Sequence, residues 1–418
     1  MSCLVMREMK DSGVAWIGEI PETWIVERLQ WHLDEIKEAN SPIKTTQVLS
    51  LTNKAGVIPY EEKGEQGNKA KENYDEYKLA YPDTIVANSM NILIGSVGIC
   101  HYFGCVSPVY YVFKPKENEL LSYLNYVFQM EQFQKELRRY ANGILEIRLR
   151  LSSANILKRY VAFPSHEEQI TISNFLDRKC TQIDALISNA QQQIEKLKAY
   201  KQSVITETVT KGLESWDKCK LGYIASFKNG LNYNGTITDT TMKFLGVGDF
   251  KDNFVIDDEG MYSDLIFDGN IPQDMLLCNG DIVFVRSNGS KELVGRSVLV
   301  ENISYPLTFS GFCIRMRNNR PDLIENKFLL YCFWSSRFRQ ALNQESKGFN
   351  IKNLNQGMLS SFMVYYPDLT EQKAIISYLD RKCSQIDKLI VLKQQKIEKL
   401  QQYKKSLIYE YVTGKKEV

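Results

Sequence analysis

The strongest constraint in this sequence is an internal repeat at a fixed offset of 203 residues. Pro164-Ser-His-Glu-Glu-Gln169-Ile-Thr-Ile-Ser-Asn-Phe-Leu-Asp177-Arg-Lys-Cys180-Thr-Gln-Ile-Asp184 returns as Pro367-Asp-Leu-Thr-Glu-Gln372-Lys-Ala-Ile-Ile-Ser-Tyr-Leu-Asp380-Arg-Lys-Cys383-Ser-Gln-Ile-Asp387. Extended to Thr210 and Thr413, 27 of 47 positions are identical without a gap, which chance does not produce. The preceding stretches correspond more faintly: Trp24–Leu29 matches Trp216–Leu221, Asp83–Ser89 resembles Asp281–Ser287, and an aromatic-Pro pair ends each (Phe163-Pro164, Tyr366-Pro367). The chain therefore reads as variable segment, repeated segment, variable segment, repeated segment, with boundaries 1–163, 164–212, 213–366 and 367–418. A duplicated scaffold carrying two different readers has this form.

Apolar residues of the repeated segments fall on alternating steps of three and four, a heptad pattern. The seam is Ile183, Ile187, Ile194, Leu197 and Val204 in the first copy, and Ile386, Ile390, Ile397, Leu400 and Leu407 in the second. Neither segment contains Pro or Gly between Glu167 and Lys211 or between Leu369 and Thr413, so nothing interrupts a helix. About 30 residues give a rod of roughly 45 Å. Each rod has one apolar stripe to bury, and two similar stripes in one chain are expected to pack antiparallel on each other, with pseudo-twofold symmetry. Capping of each preceding domain by its own helix is the simpler alternative, but it does not explain similarity along the whole helix.

Charge narrows the partners. With 52 Lys+Arg against 50 Asp+Glu the net charge is +2, which excludes a heavily basic polyanion binder. Locally the balance shifts: Lys135, Arg138, Arg139, Arg148, Arg150, Lys158 and Arg159 face only Glu136 and Glu146, and Arg286, Lys291, Arg296, Arg315, Arg317 and Arg320 face three acids over 281–320. Basic faces on the variable segments are therefore expected. These segments mix short β-rich runs with helical stretches near 119–139 and 322–343. Their loops supply Ser89, Asn91, Asn142, Arg148, Arg150, Lys228, Asn229, Arg286, Ser287, Asn288, Lys291, Asn350, Lys352 and Asn353, the donor and acceptor types that read base edges, although they are also common in surface turns.

Catalytic signatures are missing. Gly246-Val-Gly248 resembles part of an S-adenosylmethionine loop, but no Asn/Asp-Pro-Pro-Tyr/Phe tetrapeptide accompanies it, and no Gly-x4-Gly-Lys-Ser/Thr phosphate loop occurs. Asp322, Glu325 and Lys327 imitate a nuclease cluster at too tight a spacing. Nine cysteines without a Cys-x-x-Cys pair, and three histidines, give no recognisable zinc set, so no metal is expected and the thiols suit a reducing cytoplasm. No apolar run approaches the ~18–20 residues of a membrane helix.

The doubled Leu-Asp-Arg-Lys-Cys…Gln-Ile-Asp…Ile-Glu-Lys-Leu…Tyr-Lys…Val-Thr segment and the opening Lys10-Asp-Ser-Gly-Val-Ala-Trp16-Ile-Gly-Glu-Ile-Pro21-Glu-Thr-Trp24 resemble the DNA-specificity subunit family of bacterial type I restriction–modification systems. The resemblance implies an α+β chain in which two mixed target-recognition domains each read half of a split, asymmetric site in double-stranded DNA. Two conserved helices, packed as an antiparallel coiled coil, would hold the domains apart and dock two methyltransferase subunits. The chain itself would be a non-catalytic cytoplasmic protein without a cofactor. S-adenosylmethionine, ATP and Mg2+ would belong to the methyltransferase and motor-nuclease partners. A specificity protein of another restriction type (IIB or IIG-like), or a coiled-coil scaffold that binds no DNA, would share parts of this pattern.

Overall fold

The computed structural model describes residues 7–52, 56–63, 73–116, 120–142, 149–231, 240–250, 254–260, 262–267, 271–345 and 353–418. Contacts divide the chain into unit 1, Met1–Ala190 with Gln395–Val418, and unit 2, Gln191–Gln394. The division falls inside the repeated helices, so each unit takes the beginning of one copy and the end of the other.

The helices are longer than the heptad stretch alone suggests, running His166–Thr210 (45 residues) and Leu369–Val412 (44 residues). At ~1.5 Å per residue each extends roughly 67 Å. The additional turns come from the Leu-Asp-Arg-Lys-Cys motif, which is helical because Ile172, Leu176, Cys180 and Ile183 recur at steps of four, four and three and are all buried. Both helices start alike. Ser165 and Asp368, one repeat apart, accept the backbone N–H groups of Glu168 and Glu371 (3.3 and 2.9 Å), capping free donors at the helix start. Gln169 and Gln372 then fold back to donate to the Pro164 and Pro367 carbonyls. Gly414, at φ +68°, follows the second helix in the left-handed conformation that glycine adopts without strain.

Within each unit the helical segments run antiparallel. In unit 1 the Tyr411 ring packs tilted against Phe175 (4.5 Å between centroids) and Lys404 pairs with Asp184 (2.6 Å). In unit 2 Lys211 pairs with Glu371 (3.3 Å) and Lys201 with Asp387 (2.7 Å). Asp184–Lys404 and Asp387–Lys201 are the same pair with the two copies exchanged, since each copy carries the acceptor early and the donor late. That reciprocity gives a physical reason for the repeat to persist along the whole helix. Of the ten seam positions, Ile183, Ile194, Val204, Ile386, Ile397 and Leu407 are buried, and Ile187, Leu197, Ile390 and Leu400 are partly so.

Each unit builds its remaining layer from a mainly antiparallel sheet. In unit 1 the order is Leu33–Ile36, Tyr110–Pro115, Thr84–Asn88, Val97–Cys100. In unit 2 it is Ala225–Asn229, Cys313–Asn318, Ile282–Val285, Ser297–Val300, with Val255–Ile256 added in parallel at the edge. Unit 2 also has a three-stranded sheet (Ser263–Phe267, Thr240–Leu245, Leu307–Phe309), whereas unit 1 has two-stranded pairs there. Ile25–Arg28 pairs with Tyr160–Phe163, and Asp217–Lys220 with Met363–Tyr366, so the Trp-headed stretch and the aromatic-Pro stretch of each unit close on each other before the helix starts. Among the described residues no helix is long and apolar enough to cross a membrane.

Candidate nucleic-acid interface

Each unit is fastened to its long helix by one repeated contact that the gapless repeat does not reveal. The Tyr126 hydroxyl, on the helix Leu121–Gln129, donates to Asp177 at 2.6 Å, and Tyr331, on Asn326–Trp334, donates to Asp380 at 2.6 Å. The acceptors are the Asp of Leu-Asp-Arg-Lys-Cys, while the preceding Leu176 and Leu379 are fully buried and Cys180 and Cys383 lie alongside. Burial first, and then the bond to a carboxylate, raise both tyrosine hydroxyls far above their usual range. Burial likewise pushes the Cys383 thiol up to about 11. The signal is Tyr126-x-Phe128 against Tyr331-x-Phe333, offset by 205 instead of 203.

The candidate readers follow the central strands Thr84–Asn88 and Ile282–Val285, and their main-chain framework is the same in both units. In unit 1 the Ser89 N–H donates to the Val109 carbonyl (3.3 Å) and the Ser89 carbonyl accepts from Leu151 (3.2 Å). In unit 2 the Arg286 N–H donates to Phe312 (2.7 Å) and the Arg286 carbonyl accepts from Leu354 (2.8 Å). Leu151 and Leu354 are one repeat apart. Ser89 is therefore the counterpart of Arg286, and the expected alignment with Ser287 is off by one, because hydrogen-bond register governs the pairing and Asn88 occupies the place of Val285.

This junction gathers several predicted residues. In unit 1, Asn142 and Arg150 exchange both backbone hydrogen bonds at 2.9 Å, and Arg150 immediately precedes Leu151. Asn91, Asn142 and Arg150 are exposed, whereas Ser89 is buried, which leaves it a framework role. In unit 2, Ser287 faces the exposed Asn353 across a bridge, Asn288 accepts from the Ser290 N–H (2.8 Å), Lys291 opens the turn Lys291–Leu293, and Arg286 reaches the Gly311 carbonyl through Nη1 (3.4 Å). Arg148, Asn350 and Lys352 lie outside the described residues.

Other expected donors are engaged elsewhere. Lys228 is held by Asp274, whose carboxyl it keeps below the usual range. Asn229 ends the same strand with its Oδ1 buried and without a hydrogen bond among the described residues. The basic face expected over 281–320 also breaks up, because Arg317 is bidentate on the buried Asp281 (2.7 Å twice), Arg315 donates to the Asp274 carbonyl (2.8 Å) and Arg320 clamps Asp322. Arg296 lies over the Trp334 ring at 5.6 Å. In unit 1, Lys135 pairs with Glu131, Arg139 pairs with Glu136, and Arg159 stacks on Tyr140 at 3.5 Å, leaving Arg138, Arg150 and Lys158 exposed. Composition counts charges but does not show which are already neutralised.

Known proteins share this architecture. The family model described as "Type I restriction modification DNA specificity domain" matches residues 31–196 and again 214–402. The Type I restriction enzyme EcoKI specificity subunit of Escherichia coli is 28% identical over 158 residues, which span 37% of this chain and only 33% of that subunit. The MjaVIII specificity subunit of Methanocaldococcus jannaschii is 25% identical over 274 residues, 61% of each chain. A chain from the solved structure described as "Structural basis underlying complex assembly and conformational transition of the type I R-M system" shares the fold with a TM-score of 0.72, at 12% identity, covering 94% of this chain and 98% of that one. Matched twice by one family model over more than half of its length, this chain belongs to the type I restriction modification DNA specificity family, with one family domain for each copy of its repeat.

Proposed function

We propose that this chain is the DNA-reading subunit of a type I restriction–modification complex, and that each unit reads one half of a bipartite site. The observation that carries this reading is the pair of equivalent junctions around Ser89 and Arg286. Their backbones are held by matching hydrogen bonds, yet the side chains differ: the exposed Asn91, Asn142 and Arg150 in one, the half-buried Arg286 and Ser287 with the exposed Asn353 in the other. A fixed frame with exchanged donors is what two half-sites of different sequence require, because frame contacts position and side-chain contacts specify.

The helices, in this reading, set the spacing between half-sites and dock two methyltransferase subunits. Methylation with S-adenosylmethionine, and ATP- and Mg2+-dependent translocation and cleavage, belong to the partner subunits. Because so many cations are internally paired, the chain alone binds DNA weakly, and its partners supply much of the phosphate attraction.

Arg286→Ala tests the reading. Its planar fork suits guanine O6 and N7, and a good bidentate contact is worth ~1–3 kcal/mol of discrimination. Sequencing of methylated adenines from cells carrying the variant complex should show relaxed preference at one position of one half-site and an unchanged second half-site. Undiminished preference at every position refutes the role of Arg286.

A further inference from the structure

The turn carrying Phe312 is fixed from several sides. Cys313 N–H donates to the Ser310 carbonyl (2.8 Å), Phe312 N–H to the Ser310 hydroxyl (3.2 Å) and Gly311 N–H to the Leu231 carbonyl (2.6 Å). The Phe312 carbonyl in turn accepts from both Arg286 (2.7 Å) and Ser287 (3.4 Å). Gly311 and Cys313 on either side are buried, but the Phe312 ring is 62% exposed and belongs to neither apolar core of unit 2. A phenyl ring held in water forgoes the stabilisation of burial, and here the backbone has no freedom to fold it inward. The counterpart in unit 1 is the half-buried Val109, so the exposed aromatic is particular to unit 2.

We propose that Phe312 is a base-contacting residue whose ring covers the C5-methyl group of a thymine in the half-site read by unit 2. The inference rests on the DNA-reading function above. Arg286 Nη1 lies on the Gly311 carbonyl of the same turn, so the guanidinium and the ring form one surface element. If the guanidinium reads guanine O6 and N7, that element faces the major groove, where thymine methyl is the apolar group that base pairs present. A wedge inserted between base steps is the alternative contact for an exposed ring, and it is characteristic of minor-groove binders.

The test uses the full chain assembled with its methyltransferase subunits, on DNA whose half-sites are defined by mapped methylated adenines. Each thymine of the unit 2 half-site is replaced in turn by deoxyuridine, which lacks only the methyl group. At one position the unaltered complex should lose affinity about fourfold, the worth of one buried methyl. Phe312→Ser should lose at least as much and become indifferent to deoxyuridine there, while Phe312→Leu keeps part of the sensitivity. Undiminished preference for the unit 1 half-site shows that the variants are folded. Three results overturn the inference: no deoxyuridine sensitivity in the unaltered complex, a Phe312→Ser complex that keeps it, or a half-site without thymine. If the unaltered complex prefers no sequence at all, the DNA-reading function itself fails, which is a different result.

Discussion

Replacing Tyr126 with Phe removes one hydroxyl that joins the helix Leu121–Gln129 to the long helix His166–Thr210. The lost bond is 2.6 Å long and ends on a carboxylate, and hydrogen bonds to charged groups contribute ~1.5–3 kcal/mol net. Asp177 is exposed, so water re-solvates it once the hydroxyl is gone, which places Tyr126→Phe near ~1.5 kcal/mol. Tyr331→Phe should cost no more, because Asp380 also holds Lys327 at 3.0 Å. For units of this size ~1 kcal/mol moves Tm by ~2–4 °C, so thermal unfolding at pH 7 to 9 should show a fall of roughly 3–6 °C for Tyr126→Phe.

The pH dependence identifies the buried hydroxyl, because the apolar ring contacts shared with phenylalanine do not titrate. Tyr126 has its folded-state pKa raised, chiefly by burial and then by Asp177. A group raised on folding contributes stability that is complete below its unfolded pKa, about 10 for tyrosine, and is lost as pH rises toward the folded value. Above pH 10 the unaltered protein should therefore lose ~1.4 kcal/mol per pH unit that the Phe variant does not, so the stability gap shrinks and nearly closes around pH 11. Denaturant unfolding at pH 8, 10 and 11 measures it. A gap that is absent at pH 8, or that widens between pH 10 and 11, refutes the reasoning.

Two further outcomes follow from the repeat. Thr208 occupies the position of Tyr411, and with Lys211, Glu371 and Tyr378 it borders a groove of about 410 Å³ where unit 1 packs Tyr411 against Phe175; Thr208→Tyr should pack on Tyr378 and raise the unfolding free energy of unit 2 by ~0.5–1.5 kcal/mol, seen as a higher midpoint in urea titration, and an unchanged or lower midpoint would show that the groove cannot accept the ring. Four residues inserted after Ala190 and four between Gln394 and Gln395 add ~6 Å to both helices, so mapped methylation sites should gain about two base pairs of spacer with both half-sites unchanged, and new half-site sequences would sink the spacing role.

Legibility in the sequence followed the source of each constraint. Helix signals are periodic and local, so the seam from Ile183 to Leu407 could be read from spacing and the absence of Pro and Gly. The Asp184–Lys404 and Asp387–Lys201 exchange was invisible because each partner lies about 200 residues away in the other copy. Tyr126 and Tyr331 escaped because two extra residues shift them out of the fixed offset. Asn, Ser and Arg in the loops between strands mark the junction residues as candidates by residue type alone; the pairing of Ser89 with Arg286, and of Lys228 with Asp274, depends on hydrogen-bond register and on contacts distant in sequence.

The same register explains why a nearly fixed scaffold can carry divergent readers. At the junction the bonds that hold the loops belong to the backbone: Ser89 and Arg286 each use their own N–H and carbonyl, to Val109 and Leu151 in one unit and to Phe312 and Leu354 in the other. The residue at this position differs between the units, Ser in one and Arg in the other, and the frame is kept because the side chain contributes none of those bonds. Where each unit is joined to its long helix the bonds belong to side chains, Tyr126 to Asp177 and Tyr331 to Asp380, and substitution there removes the joint itself. If each unit reads a half-site, selection for a new one can thus act on the junction side chains while the tyrosine bonds keep the unit tied to a helix whose pairing is set by the other copy.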